Sequence, residues 1–406
     1  VTSPPALATP GSSLDALLSP EQRAIRDVAR VFADTEVAPV ADANSRAARY
    51  PGPLIRRAAE LGLLGLLIPV EFGGSGRGNL ALTLVLEQVN RACASTGVTI
   101  SVHSSLCSAA VERFAGAEAR ARYLPQLARG ARIGAYCLTE PHSGSDAAAL
   151  VTQARRDGEA YALSGTKVFV TTGAEASLYI VFARTDTSHK TRGITAFIVE
   201  REFPGVAVGK EEVKMGLSAS HTVEIQLDGC RVPAANVLGQ VGEGFKIALT
   251  LLDGGRIGIA AQALGIAQAC LDASVQCVTT QIENGKPRSD QQMVQHALAE
   301  MATDIEAARH LTYHAARLRD AGAAAGTVTR AASMAKLFAS QTCNRVARQA
   351  MQLHADAGTV KGAAIERYFR DARVTELYEG TTEVQKRVIA RQMLQEYQDA
   401  KPEGEG

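Results

Sequence analysis

No tryptophan occurs among the 406 residues, and aromatic side chains supply only 5% of them. The seven cysteines, Cys93, Cys107, Cys137, Cys230, Cys270, Cys277 and Cys343, are odd in number and scattered, with no C-x-x-C pair. That spacing argues against a disulfide framework or a thiolate zinc site, and a reducing cytoplasm is the expected setting. Neither sign of charge is in excess: 43 Lys and Arg stand against 42 Asp and Glu, for a net charge of +1. With no basic block to neutralise a run of phosphates, nucleic acid is not an expected partner. No segment reaches the ~18 apolar residues of a membrane span. Val1 to Pro20 is rich in Pro, Ser and Ala, lacks the basic and apolar regions of a signal peptide, and reads as a loose tail. Also absent are a G-x-G-x-x-G after a strand, G-x-x-x-x-G-K-[ST], H-E-x-x-H and G-x-S-x-G, so the Rossmann, P-loop, zincin and hydrolase readings lose support.

What remains is an ordinary globular balance, 46% hydrophobic and 21% charged, in a chain longer than one core usually serves. From Ser19 to Gly130 apolar residues recur at helical spacing, as in Leu61, Leu64, Leu67 and in Leu82, Val85, Leu86, Val89. Between Gly134 and Val241 the texture changes to short β-branched and aromatic runs: Lys167 to Thr171, Leu178 to Ala183, Ile194 to Val199 and Thr222 to Leu227. From Phe245 onward long Ala- and Leu-rich segments suit an antiparallel helical bundle. The expected fold class is α+β, mainly α: a tail over 1–18, a helical domain over 19–132, a β domain over 133–241, a helical bundle over 242–397 and a second tail over 398–406.

Three segments carry candidate chemistry. Tyr136-Cys-Leu-Thr-Glu-Pro-His-Ser-Gly-Ser-Asp146 puts hydroxyls and small residues on a turn; Gly144 allows a phosphate close to the backbone. By residue type alone it could equally be a Gly/Ser turn ending a strand. In Gly165-Thr-Lys-Val-Phe-Val-Thr-Thr-Gly173, strand alternation places Lys167, Phe169 and Thr171 on one face, although an aromatic on a strand is more often core. Thr375-Glu-Leu-Tyr-Glu-Gly-Thr-Thr-Glu-Val-Gln385 holds carboxylates that could cap a helix or act as a base. His310 and His314, with Glu306 one turn earlier, are read as a solvated helix face, and no metal site is expected.

Together these segments resemble the acyl-CoA dehydrogenase family, from about Leu14 to Tyr397, with the look of its short-chain members. The resemblance implies FAD, an acyl-CoA or acyl carrier protein thioester as substrate, an electron-transfer flavoprotein as electron acceptor, and a homotetramer or homodimer. It places Tyr136, Leu138, Thr139, Gly144, Ser145, Phe169, Thr171, Gln292, Gln352, Thr381 and Glu383 on the cofactor. By that resemblance Phe169 would take the place of the family's usual tryptophan, and the Thr171 hydroxyl would bond flavin N5. Substrate would meet Ser145, Asp253, Arg256, Tyr378 and Arg391. Glu379 would be the base taking the α-proton as the β-hydride passes to flavin N5, with the backbone beside Gly380 assisting the thioester carbonyl. Gly255 occupies the position from which some members supply their base, leaving Glu379 for that role. Two alternatives are a biosynthetic relative acting on a carrier-protein thioester or at another bond, and an inactive binding or scaffold protein. The chain departs from the family at Gln281-Ile-Glu-Asn-Gly285, where a cation is missing for which Lys286 or Arg288 could substitute. It departs again at Ala355-Asp356, where the family carries Gly-Gly.

Overall fold

The computed structural model describes residues 16–399; the outer parts of both expected tails lie outside the described residues. It divides into two compact units. One runs up to Asp42, takes in Thr83–Ala94 and resumes from Arg256; the other comprises Ala43–Leu82 and Ser95–Gly255.

The helices before the sheet are α1 (Pro20–Phe32), α2 (Ala38–Arg46), α3 (Gly52–Glu60), α4 (Gly78–Ala92), α5 (Ala94–Ser101), α6 (Ala109–Phe114) and α7 (Ala117–Ala128). Ser19 starts α1 with a capping box, its hydroxyl accepting from the Gln22 N–H while the Gln22 side chain accepts from the Ser19 N–H. The leucines of 61–67 do not form the helix their spacing suggests. Gly62, at φ +75°, closes α3 in a Schellman motif, with Leu63 N donating to Ala58 O (2.9 Å) and Gly62 N to Ala59 O (2.9 Å). Leu63, Leu64 and Leu66 are buried nonetheless, so apolar spacing there records burial of a turn.

The sheet lies within the second unit. Its strands are β1 (Gly134–Cys137), β2 (Gln153–Asp157), β3 (Ala160–Thr171), β4 (Leu178–Arg184), β5 (Ile194–Glu200), β6 (Val206–Glu211), β7 (Thr222–Pro233) and β8 (Val237–Leu238). Their order is β6-β7-β3-β2-β4-β5-β8, with β1 parallel beside β4. β4 and β5 are buried almost throughout, which explains their unbroken apolar runs. Tyr179, Val181, Phe197, Val199 and Ile225 fill the core.

After the sheet come α8 (Gly244–Thr280), α9 (Gln292–Asp320), α10 (Ala325–His354), α11 (Ala364–Arg373) and α12 (Thr382–Asp399); α10 packs on α9, α11 and α12. By length and composition α8 is apolar enough to cross a membrane, but 83% of its most apolar window is buried against protein. Ion pairs staple the helical unit: Arg309 reaches Glu87 (2.9 Å), which also accepts from the Tyr313 hydroxyl (2.6 Å), and Arg367 reaches Asp42 (2.6 Å). His310 and His314 lie exposed on α9.

Candidate active site

In the sheet unit, β1 leads into a tight turn closed by paired backbone bonds between Glu140 and Ser143 (both 3.0 Å). The Glu140 side chain turns inward and accepts from Val151 N (2.6 Å), Thr152 N (3.0 Å) and Lys167 Nζ (2.7 Å). Burial pushes its carboxyl up, but the Lys167 charge and these bonds outweigh it and hold it below the usual range; burial pulls Lys167 down. Lys167 also donates to Leu138 O (3.3 Å), and Val168 N to Thr139 O (2.9 Å), so the carbonyls of the Leu138–Thr139 segment are fixed from beneath. Tyr136 sets its ring edge-on to Phe182. Gly144 and Ser145 face solvent, and nothing crowds Gly144.

Phe169 corrects the expected alternation. The β3–β7 register shifts between Lys167 and Val170, and Phe169 adopts φ +53°. Lys167 is therefore fully buried while the Phe169 ring is 63% exposed, so the two do not share a face. Thr171, the last residue of β3, is half-buried. An exposed ring standing on a bulge, on the strand whose Val168 fixes Thr139, is a platform suited to a planar cofactor. These residues fit a flavin.

In the helical unit, a short 3₁₀ turn, Val374–Glu376, joins α11 to the Tyr378–Thr381 segment that precedes α12. Asn344 of α10 donates to Ala372 O (3.1 Å) and Thr375 Oγ1 (3.3 Å), and the Tyr378 hydroxyl donates to Gln262 of α8. Glu379 and Gly380 are both left-handed, at φ +53° and +89°. The residue Glu379 is half-buried, yet its Oε2 is shielded from solvent and lacks a hydrogen-bond partner. Burial pushes the carboxyl up to about 7 against the pull of Arg256 and Lys336. A carboxylate with one shielded, unbonded oxygen and poised near neutrality is suited to accept a proton.

Asp253 and Arg256 are buried on α8, and Gly255 between them carries no side chain. Thr381 Oγ1 accepts from Val384 N (3.4 Å); Glu383 is exposed in the first turn of α12, its carboxyl held low by hydrogen bonds from its own N–H and Thr381. Gln292 and Gln352 are exposed at the start of α9 and near the end of α10. Arg391 is exposed nine residues into α12, ~14 Å along the helix from Thr382. At the first departure, Arg288 donates to Gln281 and to Leu353 O (2.9 Å), tying that segment to the Gln352 end of α10. At the second, Ala355 keeps φ +48°, a conformation glycine adopts without strain. Sequence reasoning did not single out Lys336, Gln385, Gln262 or the Glu140–Lys167 pair. For Lys336 and Gln262 the signal is polarity on a helix face that is otherwise apolar.

Family models for the N-terminal, middle and C-terminal domains of acyl-CoA dehydrogenase match residues 19–131, 135–230 and 242–394. The chain belongs to the acyl-CoA dehydrogenase family. Its similarity to the mouse mitochondrial short-chain specific acyl-CoA dehydrogenase is 43% identity, covering 92% of this chain and 90% of the relative. The solved butyryl-CoA dehydrogenase of Megasphaera elsdenii superposes with a TM-score of 0.91 at 38% identity, covering 93% of this chain and 99% of that one. A chain solved in work on the electron transferring flavoprotein of Acidaminococcus fermentans also gives a TM-score of 0.91, at 42% identity, covering 93% and 98%. As a member of this acyl-CoA dehydrogenase family the protein is a flavin-dependent enzyme.

Proposed function

We propose that the protein oxidises short-chain acyl-CoA, of about four carbons, to the enoyl-CoA, with FAD as its flavin and Glu379 as the base. The observation that carries the mechanism is the Glu379 carboxylate, shielded and without a hydrogen-bond partner at Oε2, where burial pushes the group up to about 7. Near neutral pH about half of it is ionised and can take the α-proton, and the rate should climb as pH rises through about 7. As the family resemblance implies, the backbone N–H beside the base would receive the thioester carbonyl. When bound, the flavin supplies the acceptor for the β-hydride. Leu138, Thr139 and Phe169 would hold its ring, Gly144 and Ser145 its pyrophosphate, and Gln292, Gln352, Thr381 and Glu383 its far side.

The short-chain preference rests on the run Gly254 to Ala260 and on similarity to short-chain relatives. Electron transfer to an electron-transfer flavoprotein, a homotetramer and a reducing cytoplasm complete the reading; all seven cysteines are free. The test is anaerobic bleaching of the bound flavin by butyryl-, octanoyl- and palmitoyl-CoA and by a butyryl carrier protein, with released cofactor identified. Each fitting methylene is worth ~1 to 3 kcal/mol, so adjacent chain lengths should differ roughly tenfold or more. Better specificity constants for palmitoyl-CoA would overturn the chain length, turnover confined to the carrier protein would overturn the CoA assignment, and released FMN would overturn FAD.

A further inference from the structure

We propose that Lys336 and Gln385 clamp the backbone that follows the base, aiming the Glu379 side chain, and that the Lys336 ammonium favours the ionised form of that carboxylate. The inference rests on Glu379 being the base.

Lys336 is wholly buried in α10, on a face shared with Ala332, Ala335, Ala339 and Ser340. An ammonium in such surroundings needs a polar partner, and it finds Gly380 O at 2.7 Å. From the first turn of α12, Gln385 Nε2 approaches Glu379 O at 3.1 Å and Gly380 O at 2.9 Å. The same amide closes the space over Gly380, where a Cβ would lie 2.4 Å from Gln385 Nε2. Two side chains from two helices therefore fix both peptide planes after Glu379. A glutamate at φ +53° keeps that conformation only where its surroundings hold it, and the clamp supplies the hold.

The charges are distributed to match. Glu379 is faced by Arg256 of α8 and Lys336 of α10. Lys336 is faced by Glu379, by Glu376 in the preceding turn, by Arg256 and by Glu383 of α12. Burial brings the ammonium down to about 8, so it stays mostly protonated where Glu379 titrates. Because its bond goes to a carbonyl, its charge acts on Glu379 without tying up the carboxylate oxygens.

The experiment follows the Glu379 carboxyl band by infrared difference titration of the flavin-bound protein, with Glu379→Gln as the blank, alongside the pH profile of anaerobic flavin reduction by butyryl-CoA. Lys336→Met and Lys336→Gln should raise the Glu379 midpoint by about one pH unit and carry the acid limb of the profile upward with it. Lys336→Arg keeps the charge and should leave the midpoint in place. Gln385→Leu keeps the charge but loosens the clamp, so kcat should fall about tenfold with KM nearly unchanged and the midpoint fixed. An unmoved midpoint in the neutral Lys336 variants overturns the electrostatic role, and wild-type kcat in Gln385→Leu overturns the clamp. If neither neutral variant folds, Gln385→Leu and Lys336→Arg decide: wild-type kcat in the first or a displaced midpoint in the second overturns the proposal. Failure of the base reading is separate, since it would show as flavin bleaching at wild-type rate by Glu379→Gln itself.

Discussion

Each unit buries a lysine near a glutamate, and the two pairs end in opposite states. In the sheet unit Lys167 sits 2.7 Å from Glu140, whose carboxylate also takes two backbone N–H bonds and is held below its usual range. In the helical unit Lys336 gives its bond to a carbonyl, and Glu379 is left with an unbonded oxygen and a carboxyl pushed up to about 7. A satisfied buried carboxylate has no capacity left for chemistry and serves to hold a loop. An unsatisfied one costs stability and is free to bind a proton.

The sharpest break in this contrast is Glu379→Gln. It preserves shape and removes proton acceptance, so flavin reduction by the best substrate should fall ~10² to 10⁴-fold or more while the flavin stays bound. A stopped-flow comparison at matched flavin occupancy measures it.

On the other side, Lys167→Met should leave Glu140 buried and uncompensated, destabilising the protein by about 3–5 kcal/mol and releasing flavin. Adding Glu140→Met should recover much of that loss if the pair is structural. Denaturant unfolding of the single and double variants gives the answer, and a double variant no more stable than the single one would count against it.

Phe169→Ala tests the platform beside this pair. The ring is exposed, so the melting temperature of flavin-free protein should barely move, whereas flavin affinity should weaken by up to about tenfold, the worth of an aromatic stacking contact. Fluorescence titration of the flavin reads it.

The smallest effect concerns the cost of holding Glu379 in place. Its folded carboxyl titrates near 7 and its unfolded one near 4.5, so the folded state holds the proton more tightly and stability is lost as pH rises from 4.5 toward 7. Glu379→Gln removes that loss. Its melting temperature should match wild type near pH 4.5 and exceed it by roughly 4 °C above pH 7, measured by calorimetry at several pH values.

The amino-acid sequence by itself determined the α, β, α order, the strands with unbroken apolar runs, and the segment carrying Glu379. Those features rest on local composition and on motif resemblance, which are read along the chain. It misjudged Leu61 to Leu67, because apolar spacing reports burial and does not distinguish a helix from a turn that Gly62 has closed. It also misjudged the face of Phe169, because the bulge that turns the ring outward comes from pairing with β7, a strand some fifty residues away. Lys336 reads along the chain as an ordinary polar position of an Ala-rich helix. Only the tertiary structure decided that it lies beneath Gly380, that Gln385 closes over the same turn, and that the Glu379 carboxylate is shielded enough to titrate near 7. Desolvation and charge proximity are properties of what surrounds a group in space, and residues far apart in sequence supply them here.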